Sequence, residues 1–237
     1  MKRYCLYLFI LIGISCSAEL KAQKNGTVYK GNDPAVRYTG RTLVSPDGSV
    51  AFDWVGTYLE TRFTGGKLSV KVSETGTSYY NVFVDGKLHK VVKVCGTDTL
   101  IHLVSGIDKR IHSLKIQKRS EGEFGKTTVH QFVLSGSGRL AEEPAVRTRH
   151  IEFIGNSLTC GYGTDGKHRD EPFLVETENC NLTFASMLAR YYDADYTLIA
   201  HSGRGAARNY GDSVRVSKVT MKDRMLNTFD EIGRAHV

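Results

Sequence analysis

Residues 151–163, IEFIGNSLTCGYG, decide how the whole chain is read. The first four form a short apolar run of strand type, and Gly155-Asn156-Ser157 leads directly from it into a glycine-bearing turn. Downstream, Leu182, Ala185, Leu188, Ala189 and Tyr192 recur at helical spacing, with Asn179 or Asn181 placed to cap the helix. Residues 196–200 are a second short apolar strand ending in His201-Ser202-Gly203-Arg204-Gly205, and Met221, Met225 and Phe229 return to helical spacing. Strand, helix, strand, helix predicts an α/β domain over residues 147–237, built on a parallel sheet. Open sheets of that kind bind ligands beyond the carboxyl ends of their strands, and both loops sit at such ends. A serine just past a strand and before a helix exposes its hydroxyl where backbone N–H groups also receive an oxyanion. That arrangement suits acyl transfer; the same position also takes an ordinary turn or N-cap serine.

Working back toward the amino terminus, the pattern is all-β from residue 28 to residue 134. Leu68, Val70 and Val72 alternate with Ser69 and Lys71, the period of a half-buried strand. The run 79–84 ends in Asp85-Gly86, a tight hairpin signal, and 88–94 supplies the return strand. Further β-rich runs cover 100–104, 111–117 and 128–134. Short spacing between turns predicts an antiparallel sandwich over residues 25–140. Residues 135–147, with Gly, Ser, acids and a Pro, read as the linker between the two domains.

Residues 1–22 read as an export signal. Lys2 and Arg3 form a basic start, and the apolar run 4–14 is too short to span a bilayer, where about 20 residues are needed. Secretion or a periplasmic location is therefore expected, without a stable membrane span. Cys16 faintly suggests a lipoprotein anchor, but Gly13 three places before it fits that signal poorly. The formal charge of +7 is inflated by this segment. The remaining bases are scattered among acids, which argues against a nucleic-acid partner. Cys95, Cys160 and Cys180 remain beyond it, and Cys160 with Cys180 is the pair to test for a disulfide. No cysteine or histidine spacing fits a zinc site, and no metal or organic cofactor is called for.

Residues 151–163 resemble the first conserved block of SGNH (GDSL-like) hydrolases, especially as it occurs in carbohydrate esterase family two. Residues 200–210, AHSGRGAARNY, are similar to that family's second block. Phe52-Asp53-Trp54 with residues 80–86, YNVFVDG, is similar to the jelly-roll domain that precedes the esterase domain there. The resemblance implies a jelly-roll sandwich followed by a three-layer α/β SGNH domain, and an esterase that removes acetyl groups from plant polysaccharides such as xylan or glucomannan. It implies Ser157 as nucleophile and the N–H groups of Ser157 and Gly203 as two of three oxyanion donors. Asn156 stands where the wider pattern has Asp, and still has the chemistry to organise the turn. Tyr162 is placed either to line the substrate cleft or to pack; Trp54 to pack in the sandwich or to stack on a sugar. The family also uses a third block and a late Asp-x-x-His that supplies the general base. No such segment follows residue 210, so no catalytic histidine is assigned, and the chain is expected to be truncated and close to inactive. His201 and His168 are the substitutes to weigh, and whether residues 232–237 are native stays open. A lipase or thioesterase of the same superfamily and a non-catalytic carbohydrate-binding secreted protein are the alternative functions.

Overall fold

The computed structural model describes residues 26–142 and 144–227. The expected export signal with Cys16, Phe229 and residues 232–237 lie outside them. The described chain is predominantly β, with few helices. Nine strands form one antiparallel sheet system: β1 Gly26–Lys30, β2 Val36–Thr39, β3 Leu43–Val44, β4 Val50–Phe52, β5 Tyr58–Glu74, β6 Thr77–Val84, β7 Lys87–Cys95, β8 Thr99–Lys118 and β9 Thr127–Ser135. Their order is β3-β4-β9-β5-β8-β6-β7, with β1 added on β9 and β2 on β5. The Asp85-Gly86 turn joins β6 to β7 as its sequence predicts.

Two of these strands are unusually long. The runs 100–104 and 111–117, separate in the sequence reading, are one strand of 20 residues, β8. Its partner β5 has 17 residues, and the ladder between them shifts register around Gly66 and continues. Bulges of this kind bend a strand without ending its pairing. Along the first half of β5 the neighbours are β2 and β8; along the second they are β9 and β8. Phe52, Phe63, Leu68, Phe132 and Leu134, all nearly inaccessible, fill the space this bending encloses.

The expected strand–helix–strand–helix succession follows. β10 (His150–Gly155) and β11 (Asp195–Ala200) pair in parallel, with Gly155 opposite Ala200. Between them lie α1 (Ser157–Cys160) and α2 (Phe184–Tyr191), and α3 (Met221–Asn227) comes after. Asn179 caps a 3-10 turn over Cys180–Leu182, not the helix; Thr183 takes the N-cap position of α2, and the Asn181 side chain accepts from Arg190. The face of α2 also differs from the sequence reading. Ala185 and Ala189 are buried against the strands, while Leu188, and Leu182 and Tyr192 flanking the helix, remain substantially exposed. Small side chains bring the helix backbone close to the sheet, and the larger ones point away from it.

The β-rich part supplies much of the core behind β10 and β11. Val55 and Tyr58 pack with Cys160, Cys180, Ala185, Ala189, Tyr196, Leu198 and Ala200. Trp54 is buried with Ala51, Ile199 and Met221, so it packs at this junction and offers no face to a sugar. Asp195, at the start of β11, is clamped across the junction: Arg37 donates at 2.7 Å, Tyr58 at 2.7 Å and Arg147 at 2.7 Å. Burial alone would raise the Asp195 carboxyl; the bonds from these three donors outweigh it and hold it at about 2. The stretch read as a linker is thus fastened at its middle and at its end, since Ala141 donates to the Arg62 carbonyl at 2.7 Å while Arg147 grips Asp195.

Candidate active site

The parallel pairing of β10 and β11 sets the two motif loops side by side. Each begins where its strand ends, and the His201 N–H donates to the Gly155 carbonyl at 3.3 Å, so the loops leave the sheet as neighbours. Asn156 adopts extended backbone as the N-cap of α1, and its side chain accepts from the Leu158 N–H at 3.1 Å. The substitution of Asn for Asp at this place therefore keeps the local bond that shapes the turn. Ser157 is then the first residue of α1, half-buried, with an amide that has no acceptor inside the helix.

Ser157 opens on a cleft of ≈ 570 Å³ shared with Asn156, Tyr162, Ser202, Gly203, Arg204, Gly205, Arg208 and Tyr210. Gly203 has φ +75°, a left-handed conformation in which its missing Cβ matters. Tyr162 is half exposed on the cleft, with its ring stacked on Phe173 at 3.7 Å and 11°. The structure thus brings Ser157, Gly203 and Tyr162 to one cavity. Arg204 and Asn209, by contrast, bond the Val219 carbonyl, Arg204 at 3.2 Å and Asn209 at 2.8 Å, and hold the second loop's shape.

His201 is buried, its Nδ1 donating to the Ser202 carbonyl at 2.8 Å and its Nε2 3.2 Å from Glu123 Oε1. His168 lies exposed in its loop. Cys160 and Cys180 are both buried free thiols, and no disulfide joins them. Burial, with the side chains of Glu121 and Glu178 nearby, pushes Cys160 well above the ordinary thiol range, and burial pushes Cys180 up to about 12.

Beneath the cleft lies a polar cluster that the sequence reading missed. Glu121 follows β8 in the β-rich part, yet its Oε2 accepts from the Ser202 N–H at 2.6 Å and its Oε1 accepts from the Ser202 hydroxyl. Glu178 lies behind it and accepts from the Glu121 N–H at 2.9 Å. Arg119 reaches across to the Glu178 carbonyl at 2.7 Å, and Lys118, fully buried and lowered by that burial to about 8, donates to Ser78 at 2.7 Å. Ligand atoms of Glu121, Cys160 and Glu178 lie within 4.8 Å of one another, the one group of metal-ligand type among the described residues. Both Glu121 oxygens are already committed to Ser202, so the group is organised around that loop. An acid-rich turn after a strand gives no local pattern from which such a role is read.

Residues 38–144 match the family model described as carbohydrate esterase 2 N-terminal. The chain is 34% identical over 180 residues to "Cellulase/esterase CelE" of Acetivibrio thermocellus, covering 76% of this chain and 22% of that protein. It is 31% identical over 200 residues to an "Acetylxylan esterase / glucomannan deacetylase" of Cellvibrio japonicus, covering 81% of this chain and 54% of that one. A family two carbohydrate esterase from Clostridium thermocellum, solved in complex with cellohexaose, superposes with a TM-score of 0.75 at 33% identity, over 80% of this chain and 57% of that one. The chain therefore spans about half the length, or less, of the relatives it matches. Among the described residues no helix is long and apolar enough to cross a membrane.

Proposed function

We propose, for a chain that resembles the family two carbohydrate esterases, that its protein is a secreted carbohydrate O-acetyl esterase with Ser157 as nucleophile. The observation that carries this reading is the meeting of Ser157 and Gly203 on one cleft, at the carboxyl ends of two adjacent parallel strands. In this reading residues 25–140 form a jelly-roll sandwich, and the chain from residue 147 onward belongs to an α/β SGNH domain.

The chemistry follows from the groups present. Ser157 Oγ attacks the acetyl carbonyl, and the carbonyl oxygen becomes an oxyanion received by the N–H groups of Ser157 and Gly203. Collapse releases the sugar hydroxyl and leaves Ser157 acetylated; water then frees acetate. Each such donor contributes about 10²–10³-fold to kcat. Tyr162, already stacked on Phe173, presents its remaining face to the sugar that carries the acetyl group. The described part of the cleft offers no imidazole to take the Ser157 proton, because His201 is turned into the protein. The function needs a base from elsewhere in the protein, and the late Asp-x-x-His of the family pattern is the group we assign to it.

The test is to give the full-length protein 4-nitrophenyl acetate and acetylated xylan beside Ser157→Ala. A loss of about 10³-fold or more in kcat is expected. Equal turnover by the two proteins refutes the assignment, and glycan binding with no turnover by either replaces it with a binding role.

A further inference from the structure

The oxyanion loop of the cleft is held from below by His201 of its own motif and by Glu121, which belongs to neither motif. A trans peptide points its N–H opposite to its C=O. The Ser202 carbonyl is taken by Nδ1 of the buried His201 at 2.8 Å, so the N–H of the same peptide plane, that of Gly203, is turned the other way, toward the cleft that Gly203 lines. The preceding peptide is fixed as well, because Glu121 receives both the N–H and the hydroxyl of Ser202. His201 itself sits between two acids, with Nδ1 3.8 Å from Glu121 Oε2 and Nε2 3.2 Å from Glu123 Oε1.

Glu121 is nearly inaccessible and Glu178 is wholly so. Carboxyl oxygens of the two lie within 4.8 Å of one another, Glu178 Oε2 accepts from the Glu121 N–H at 2.9 Å, and Glu178 Oε1 finds no donor among its neighbours. Two buried acids this close disfavour ionising together. Burial, then the adjoining Glu121, drive the Glu178 carboxyl up to about 9, so Glu178 carries a proton at neutral pH. Among the described residues, the charged and titratable groups facing the pair include Lys118 and Arg119 from the end of β8, Cys160 from α1, Cys180 from the 3-10 turn, Asp53 against Gly122, and His201 with Glu123 and Arg224 on the far side.

Resting on the esterase reading above, we propose that Glu121 is a positioning residue for the reaction: braced by Glu178, it fixes the Ser202 peptide and thereby aims the Gly203 N–H at the oxyanion. The group comes from the β-rich part, so that part contributes to catalysis as well as to the core. His201 belongs to the same device and orients the peptide without acting as a base. Loss of the Glu178 proton places a second charge beside Glu121, drives the carboxylates apart and releases the loop.

The test uses the full-length protein with 4-nitrophenyl acetate and three variants. Glu121→Gln keeps the shape but replaces the carboxylate; its kcat is expected to fall about 10-fold or more with KM within about twofold, since the loss is confined to a transition-state donor. Ser202→Ala, which removes one of the two bonds and leaves the backbone intact, is expected to fall in the same direction by less. Should Glu121→Gln not fold, Ser202→Ala decides alone. The readout that packing alone would not move is the pH profile. Wild-type kcat is expected to decline on the alkaline side, and Glu178→Gln, whose amide donates at any pH, is expected to lose that decline relative to its own maximum. A kcat within about twofold of wild type in the deciding variant, or a Glu178→Gln profile with the wild-type alkaline limb, overturns the proposal. Turnover unaffected by Ser157→Ala overturns the esterase reading instead, and the two failures are thereby distinct.

Discussion

Replacing Asp195 by Asn tests the junction most directly. Its carboxylate is buried, with a side chain 5% exposed, and receives bonds from Arg37, Tyr58 and Arg147. Those donors hold it at about 2, against 3.8 for the unperturbed group. A depression of nearly two units corresponds to about 2 kcal/mol of stability at neutral pH. The sign is fixed by linkage: the folded state binds the proton less readily than the unfolded state. The contribution is therefore complete above pH 4, about half present at pH 3, and lost as pH falls through about 2. Asn keeps the shape and some hydrogen bonding but cannot carry the charge that faces two guanidinium groups. Asp195→Asn is expected to lower stability by about 2 kcal/mol at pH 7, or about 4–8 °C in Tm for a chain of this size. The gap between variant and wild type should narrow to about 1 kcal/mol at pH 3. Urea unfolding followed by circular dichroism at the two pH values measures both. A variant as stable as wild type at pH 7, or a gap of the same size at pH 3, would show that the clamp does not stabilise the fold as its geometry requires.

Two further outcomes concern α1 and the cysteines. Gly161 closes α1 at φ +84°, and a Cβ there would lie 2.4 Å from the Asn179 carbonyl oxygen. Gly161→Ala should cost more than about 2 kcal/mol, because the clash is with backbone and adds to left-handed strain; an unchanged Tm contradicts this. Cys160 and Cys180 are buried with thiols held protonated, whereas Cys95 is exposed. Of these three, only Cys95 should be alkylated by iodoacetamide in the native state, with the other two reacting after denaturation; peptide mapping of the labelled chain reads this.

How much was legible in the sequence depended on the range of the interaction. The Asp85-Gly86 hairpin and the two strands that end at Gly155 and Ala200 are written in neighbouring residues, and both appear where the pattern put them. Ser157 at a helix start follows from the same local grammar. The fusion of 100–104 with 111–117 was hidden because a bulged ladder interrupts the alternation without breaking the strand. The outward face of α2 was misread because apolar spacing says which side chains align, while their size decides which of them lie near the sheet. Glu121 and Asp195 were invisible for a different reason: their partners lie far along the chain, at Ser202 and Arg37, and nothing in either neighbourhood marks the pairing.

The crossing of side chains between the β-rich part and the strands that carry the cleft also bears on inheritance. Arg37, Tyr58, Arg119 and Glu121 complete bonds whose other halves stand at Asp195, Glu178 and Ser202. A recombination event joining the front of this chain to the back of a distant relative would separate these pairs, leaving buried charges without counterparts on both sides. Residues 135–147, which read as a linker in the sequence, are a poor point for exchange. Descent should therefore carry the two halves together, and substitutions at Glu121 and Ser202, or at Arg37 and Asp195, should travel as matched changes among relatives.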